Sequence, residues 1–396
     1  MIKREITTRI NRLKTQFPVL AVTGPRQSGK TTLLKEIFPD YAYYNLENPE
    51  TLAKVEHDPA TFIRENQDRV IIDEIQRIPK LLSYIQVTVD EIKKLGSFII
   101  SGSENLLLSE KINQSLAGRA AYITLYPLSN QELQVEKLLK PTIYEQIFTG
   151  SYPFLYSHDV ETIGYYDQYI ATYAERDLKQ ISNIINLSQF RKFFALLAGR
   201  VGQLVNLTTL ANDTGVSVTT IENWISILEA SYLVIRLQPH FKNFGKRHIK
   251  SPKIYFTDTG LACRLLGINS PTQLKTHYLL GGLFENMVIM EVMKHFSNNG
   301  IPGKLFFFRD SNSQEVDLVI DQGLKQIPIE IKSSGTFNTD FYKGLKYWRN
   351  LMADSKEATT DHGFVIYTGE QTINGAESSL ITWNSLDKLF SQISKV

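Results

Sequence analysis

The chain has 396 residues, more than one hydrophobic core usually serves, so the sequence predicts two or more domains. Its 42% hydrophobic and 21% charged residues are ordinary for packed globular protein and exclude a largely disordered chain. A formal net charge of +2 excludes a global field for nucleic acid, and the single Cys263 excludes a disulfide framework or a multi-cysteine zinc site.

The opening run MIKREITTRINRLKTQF has no apolar segment of the secretory kind. Ile2, Ile6, Ile10, Leu13 and Phe17 recur at helical spacing and predict an amphipathic helix packed on the neighbouring domain. No apolar run approaches the roughly 20 residues of a membrane span. The expectation is a cytoplasmic protein with no membrane partner.

Next comes PVLAVTGPRQSGKTTLLKEIF. Pro18 to Thr23 reads as a short buried strand, and Leu33, Leu34, Ile37 and Phe38 mark a helix. Between them Gly24, Pro25, Arg26, Gln27, Ser28, Gly29, Lys30, Thr31 and Thr32 form a phosphate-binding loop. The glycines let backbone N–H groups curl around phosphate, and the helix N-terminus adds positive potential. Lys30 can reach the β- and γ-phosphates, and the Thr31 hydroxyl suits Mg²⁺. In RVIIDEIQRI, Val70 to Ile72 read as a buried strand ending at Asp73, placed to hold Mg²⁺, and Glu74, placed to polarise the attacking water. The strand in SFIISGSEN ends at Ser101 and Ser103, either of which can sense γ-phosphate from the neighbouring strand. Arg119 in SLAGRA and Arg176 in AERDL are candidates for offsetting transition-state charge. Strands alternating with helices predict an α/β fold, a parallel sheet with helices on both faces.

TGPRQSGKTTLL, VIIDEIQRIP, FIISGS, SLAGRA, GSYP and ERDL occur in that order. Together they resemble prokaryotic AAA-type P-loop ATPases with a winged-helix middle region and a C-terminal restriction-endonuclease-like (PD-(D/E)XK) domain. The resemblance implies ATP and Mg²⁺ as ligands and Ser103 as the sensor. The absence of an Asn-Lys-x-Asp run agrees with ATP over GTP. Arg119 would then act within its own subunit or across an oligomer interface.

The domains expected are an ATPase core at 1–135, a helical lid at 136–190, a winged helix-turn-helix at 191–265 and a smaller α/β nuclease-like domain at 266–396. Tyr165, Tyr166, Tyr169 and Tyr173 form a stripe at helical spacing, read as core. Leu207–Thr214, the Gly215 turn and Val218–Ala230 read as helix-turn-helix, with a wing strand from Tyr232. The second helix carries Glu222 and Glu229 and no Lys or Arg, which suits a protein partner better than a DNA groove. The segment Arg236–Lys253 is basic, with Lys242, Lys246, Arg247 and Lys250 interleaved by Phe241 and Phe244, and can track nucleic acid.

Near the C-terminus, Glu285 sits on the apolar stripe of a helix with Val288, Ile289, Val292 and Phe296, a costly place for an unpartnered carboxylate. Glu291 falls off that stripe. Three strand patterns come next, and period-two alternation puts Glu315, Asp317 and Val319 on one face. It likewise puts Glu330 and Lys332 of PIEIKSS on one face. Glu285, Asp317 and Glu330 would hold a second Mg²⁺, with Lys332 balancing charge, in the manner of a nuclease. The reading is an ATPase whose cycle controls a nucleic-acid-processing module. Its alternative is an ATP-dependent DNA- or protein-binding switch with an inactive nuclease-like domain.

Overall fold

The computed structural model describes residues 2–103, 116–174, 186–240, 251–353 and 362–393. Short apolar runs build its first sheet: β1 (Val19–Thr23), β2 (Ala42–Asn45), β3 (Val70–Asp73), β4 (Phe98–Gly102) and β5 (Ala120–Thr124). All pair in parallel, in the order β2-β3-β4-β1-β5. Parallel pairing requires long crossovers, whose helices then cover both faces. Alternate side chains accordingly go to opposite cores. Val19, Ala21, Ile72 and Ile100 pack with Leu81, Leu82 and Ile85 of the helix Leu81–Ile92. Leu20, Val22, Ile71 and Ile99 pack with Leu33 and Leu34 of the helix Lys30–Ile37. Ile6 and Ile10, in and beside the helix Thr7–Lys14, join this second face as their spacing predicts. The α/β sheet covered on both faces is as expected.

The helices Leu207–Thr214 and Val218–Ala230 form at the expected residues. Gly215 between them takes a φ of 79°, left-handed geometry that glycine adopts freely. β6 (Val234–Pro239) then pairs antiparallel with β7 (Lys253–Phe256). β6 does not stop there. Through Gln238 and Pro239 it also pairs in parallel with β8 (Lys304–Arg309). The hairpin strands thereby become one edge of a mixed sheet with β9 (Glu315–Asp321), β10 (Gln326–Lys332), β11 (Gly363–Tyr367), β12 (Ile373–Asn374) and β13 (Ser378–Thr382). One apolar core runs from Ile143 through Trp224 and Phe284 to Ile393. No break in packing stands at residue 265, because the shared sheet and core join the two units expected on either side.

Strict alternation fails in β9. Phe306 faces Val319 but Phe308 faces Val316, so one residue of β8 spans two of β9, a bulge. Val316 and Val319 consequently share a cluster with Trp348 and Met352, while Leu318 and Ile320 join the large core. The helix Leu280–Asn299 is central rather than striped: Glu291 is 2% exposed, as buried as the apolar residues around it. No helix of the described residues is long and apolar enough to cross a membrane.

Candidate functional site

The phosphate loop leaves the end of β1. Gly24 has a φ of +145°, and a Cβ there would lie 2.2 Å from the Leu125 carbonyl oxygen, so the turn requires glycine. Gly29, at φ +93°, opens the helix Lys30–Ile37, whose first amides face the loop as an anion site. Lys30 is buried, and its Nζ donates to the Gly24 and Pro25 carbonyls at 2.9 Å each. Burial lowers its pKa to about 8. The buried Ser28 hydroxyl has no hydrogen-bond partner among the described residues. Arg26 pairs with Glu47 at 3.6 Å.

Asp73, at the carboxyl end of β3, is held by three hydroxyls. Thr31 donates to Oδ2 at 2.5 Å, Tyr43 donates to the same oxygen at 2.8 Å, and Ser101 donates to Oδ1 at 2.5 Å. Burial and the Asp73 charge raise the Tyr43 pKa, so its proton stays on the hydroxyl. Thr31 and Asp73 thus present adjacent hard oxygen donors beside the loop, a set that fits Mg²⁺. Glu74 follows at a φ of 58°, a left-handed conformation that costs a non-glycine residue about 1–3 kcal/mol. Burial raises its pKa against the pull of the Lys30 ammonium. The Gln76 amide donates to Glu74, and the Ser103 hydroxyl lies 3.3 Å from the same carboxylate oxygen. Lys30, Thr31, Thr32, Arg26 and Glu74 line one cavity of ≈ 580 Å³ together with Ile2, Phe154 and His158. Phe154 stacks on His158 with ring centroids 4.1 Å apart.

Two side chains here escaped sequence reading. Tyr43 comes from β2, in a run with no motif. Arg4 donates to Glu132 at 3.0 Å, to the Ser28 carbonyl at 2.8 Å and to the Tyr126 carbonyl at 2.6 Å, clamping the loop from a distant segment. One half of an expectation is corrected, the action of Arg119 within its own subunit. Arg119 sits just before β5, at the end of the sheet opposite the phosphate loop, and forms a two-pronged ion pair with Asp90 at 2.5 and 2.7 Å. β5 runs parallel to β1, so the strand length of roughly 17 Å separates Arg119 from the loop of its own chain. Arg176 and the side chain of Tyr173 lie outside the described residues; Tyr166 and Tyr169 are core as expected.

The C-terminal cluster gathers Asp317, Glu330 and Lys332 as their strand positions predict, and departs from expectation at Glu285. Asp317 Oδ2 accepts from the Ile331 amide at 2.7 Å and from Lys332 Nζ at 3.0 Å, and Lys332 lies 2.5 Å from Glu330. The β9–β10 register runs to the Ile329–Leu318 pair, and beyond it the Asp317 carboxylate accepts the Ile331 amide. Burial, with Asp317 alongside, pushes the Glu330 carboxyl up to about 8. Burial opposes the charged form of Asp317 too, yet Lys332 and Lys253 hold its pKa below the usual value. Glu285 is instead held by Lys253 at 2.8 Å and by the Tyr255 hydroxyl at 2.5 Å, and Lys253 also pairs with Glu315 at 2.5 Å. Among the described residues no group of three or more His, Cys, Asp or Glu is placed to hold a metal ion. The second Mg²⁺ centre expected at Glu285, Asp317 and Glu330 is therefore corrected at Glu285: its carboxylate is engaged by the Lys253 ammonium, which stands where the third carboxylate ligand was expected.

The basic segment is corrected at both ends. Lys253 is buried in that cluster, and Arg236 is locked onto Glu222 and Glu229 of the second helix. Phe241, Lys242, Phe244, Lys246, Arg247 and Lys250 lie outside the described residues.

The chain matches three families in succession: an AAA domain at residues 16–134, a domain of unknown function (DUF8612) at 140–272, and another (DUF4143) at 280–386. The first match covers the loop, Asp73 and Glu74, so this part is an AAA-type P-loop ATPase domain. A solved Walker-type ATPase of Pyrococcus abyssi is similar over 67% of this chain and 96% of its own, with 15% identity and a TM-score of 0.45. An uncharacterized protein of Haemophilus influenzae is 26% identical over 340 residues, covering 76% of this chain and 79% of its own. The uncharacterized protein Rv2008c of Mycobacterium tuberculosis is 31% identical over 399 residues, covering 98% of this chain and 86% of its own. The chain therefore belongs to the family of Rv2008c, and its own residues 16–134 form an AAA-type P-loop ATPase domain.

Proposed function

We propose that this protein binds ATP with Mg²⁺, hydrolyses it, and uses the cycle as a switch acting on the rest of the chain. The convergence of Lys30, Thr31 and Glu74 on one cavity, with Asp73 bonded to Thr31 beside it, carries this reading. Loop amides and Lys30 bind the β- and γ-phosphates. Mg²⁺, when bound at Thr31 and Asp73, offsets charge on the transferring phosphoryl group. Ser101 and Tyr43 hold Asp73 in place. The Glu74 carboxylate orients the attacking water and draws on its proton, while Gln76 and Ser103 fix its direction. The base is expected against Phe154 and His158.

Two contacts support the switch. The Tyr165 hydroxyl donates to Gln27 of the loop at 2.6 Å, and the Tyr232 hydroxyl bonds Thr23 Oγ1 at 2.6 Å, immediately before the loop. Both tyrosines belong to the middle of the chain, so loop movement is felt there. For the C-terminal unit, the lysine-filled acid cluster favours an interaction platform over a Mg²⁺-dependent nuclease. The engagement of Arg236 by Glu222 and Glu229 favours a protein partner for the second helix.

Steady-state ATP turnover tests the first part. Wild type is expected to turn over and Lys30→Ala to lose all activity; robust hydrolysis by that variant overturns the assignment. Nucleic-acid cleavage with Mg²⁺ or Mn²⁺ tests the second. Cutting by wild type that Asp317→Ala abolishes would restore the nuclease reading.

A further inference from the structure

The acid cluster lies where β7, β9, β10 and the helix Leu280–Asn299 meet, and each of its four carboxylates has an ammonium within hydrogen-bonding reach. Lys253 is 2.8 Å from Glu285 and 2.5 Å from Glu315, and Lys332 is 3.0 Å from Asp317 and 2.5 Å from Glu330. The two lysines are not alike. The Lys332 side chain is 30% exposed, as expected of a strand end, whereas Lys253 is 3% exposed. A buried ammonium is costly unless charged and hydrogen-bonded partners compensate it.

Its backbone is fixed as well. Lys253 pairs with Leu237 across β6 and bridges to Leu204 on the other side. Its ammonium lies 5.4 Å from the centre of the Phe307 ring, a cation–π contact. The charge is thus delivered by a rigid strand to one point between the helix and β9.

We propose that the Lys253 ammonium is the resident cation of this cluster, standing between Glu285 and Glu315 and next to the Asp317 charge, where a divalent ion would otherwise sit. An ion there needs oxygen ligands at about 2.0–2.6 Å. The ammonium already spans those oxygens and repels a second cation. The cluster is therefore an internal clamp that ties β7 to the helix and to β9. This deepens the platform reading of the C-terminal unit and is independent of ATP hydrolysis.

Mn²⁺ binding, followed by electron paramagnetic resonance of the free ion, tests it on the full nucleotide-free chain. Every sample carries Thr31→Ala to weaken the phosphate-loop site. The parent and its Asp317→Asn derivative are expected to bind the same amount of Mn²⁺. Lys253→Met is expected to gain one site, bound about tenfold more tightly than any in the parent, and to lose it again when Glu285→Gln is added. Mn²⁺ bound by the parent and removed by Asp317→Asn overturns the proposal. So does a Lys253→Met chain that folds, by circular dichroism, yet gains no site. Where Lys253→Met fails to fold, the parent against Asp317→Asn decides alone: equal binding supports the proposal and loss overturns it.

Discussion

Asp73 accepts from three hydroxyls drawn from three elements: Thr31 in the helix after the loop, Tyr43 in β2 and Ser101 in β4. Such partners set the direction of a metal-binding carboxylate, and losing one typically weakens metal affinity about 10–100-fold. Tyr43→Phe keeps the ring and removes one donor. A Mg²⁺ titration of ATP turnover is expected to show a half-saturating concentration raised about tenfold, with little change in the maximal rate. An unchanged titration would show that Thr31 and Ser101 suffice. Glu74 makes the complementary case, since the role proposed for its carboxylate is toward the attacking water and not toward the phosphates. Glu74→Gln is expected to retain nucleotide in equilibrium binding while turnover falls by about 10²-fold or more.

At the scale of elements, the junction of β1 and the loop allows no side chain at residue 24. In Gly24→Ala the new Cβ meets the Leu125 carbonyl, and the φ of +145° is itself unfavourable. Nucleotide binding is expected to disappear while the chain stays folded by circular dichroism. The helix Leu280–Asn299 docks on the ATPase domain through charge as well as apolar contact. Lys294 donates to the Leu128 carbonyl at 2.8 Å and pairs with Glu291, which accepts from the Asn130 amide at 2.6 Å. Both side chains are almost fully buried, so Lys294→Met leaves the Glu291 charge uncompensated. Denaturant unfolding is expected to show a loss of about 3–5 kcal/mol. Adding Glu291→Gln should recover part of it.

At the scale of the molecule, the buried acids make stability depend on pH. The Glu330 pKa is raised from 4.5 to about 8 in the folded chain. Between those values the folded state binds more protons than the unfolded state, so this residue makes stability fall as pH rises. Glu330→Gln removes that slope. Melting temperatures measured from pH 5 to pH 8 are expected to decline more steeply for wild type than for the variant.

Whatever chemistry sits in contiguous residues was legible from the chain alone. The loop from Gly24 to Thr32, with a strand before it and a helix after it, carries its chemistry in one run. Asp73 and Glu74 end a strand whose apolar character is also local. Helix boundaries around Gly215 were legible for the same reason. Partners far apart in the chain were not. Arg119 meets Asp90 at the wrong end of the sheet, Glu291 is buried by docking, and Tyr43 and Arg4 reach the loop from outside any motif. A single bulge in β9 changes which residues share a face. Lys253 belongs by composition to a solvated basic run, yet it is the buried cation between Glu285 and Glu315. Local spacing specifies which groups a segment carries. Burial and pairing depend on which segments meet, and only the folded chain settles that.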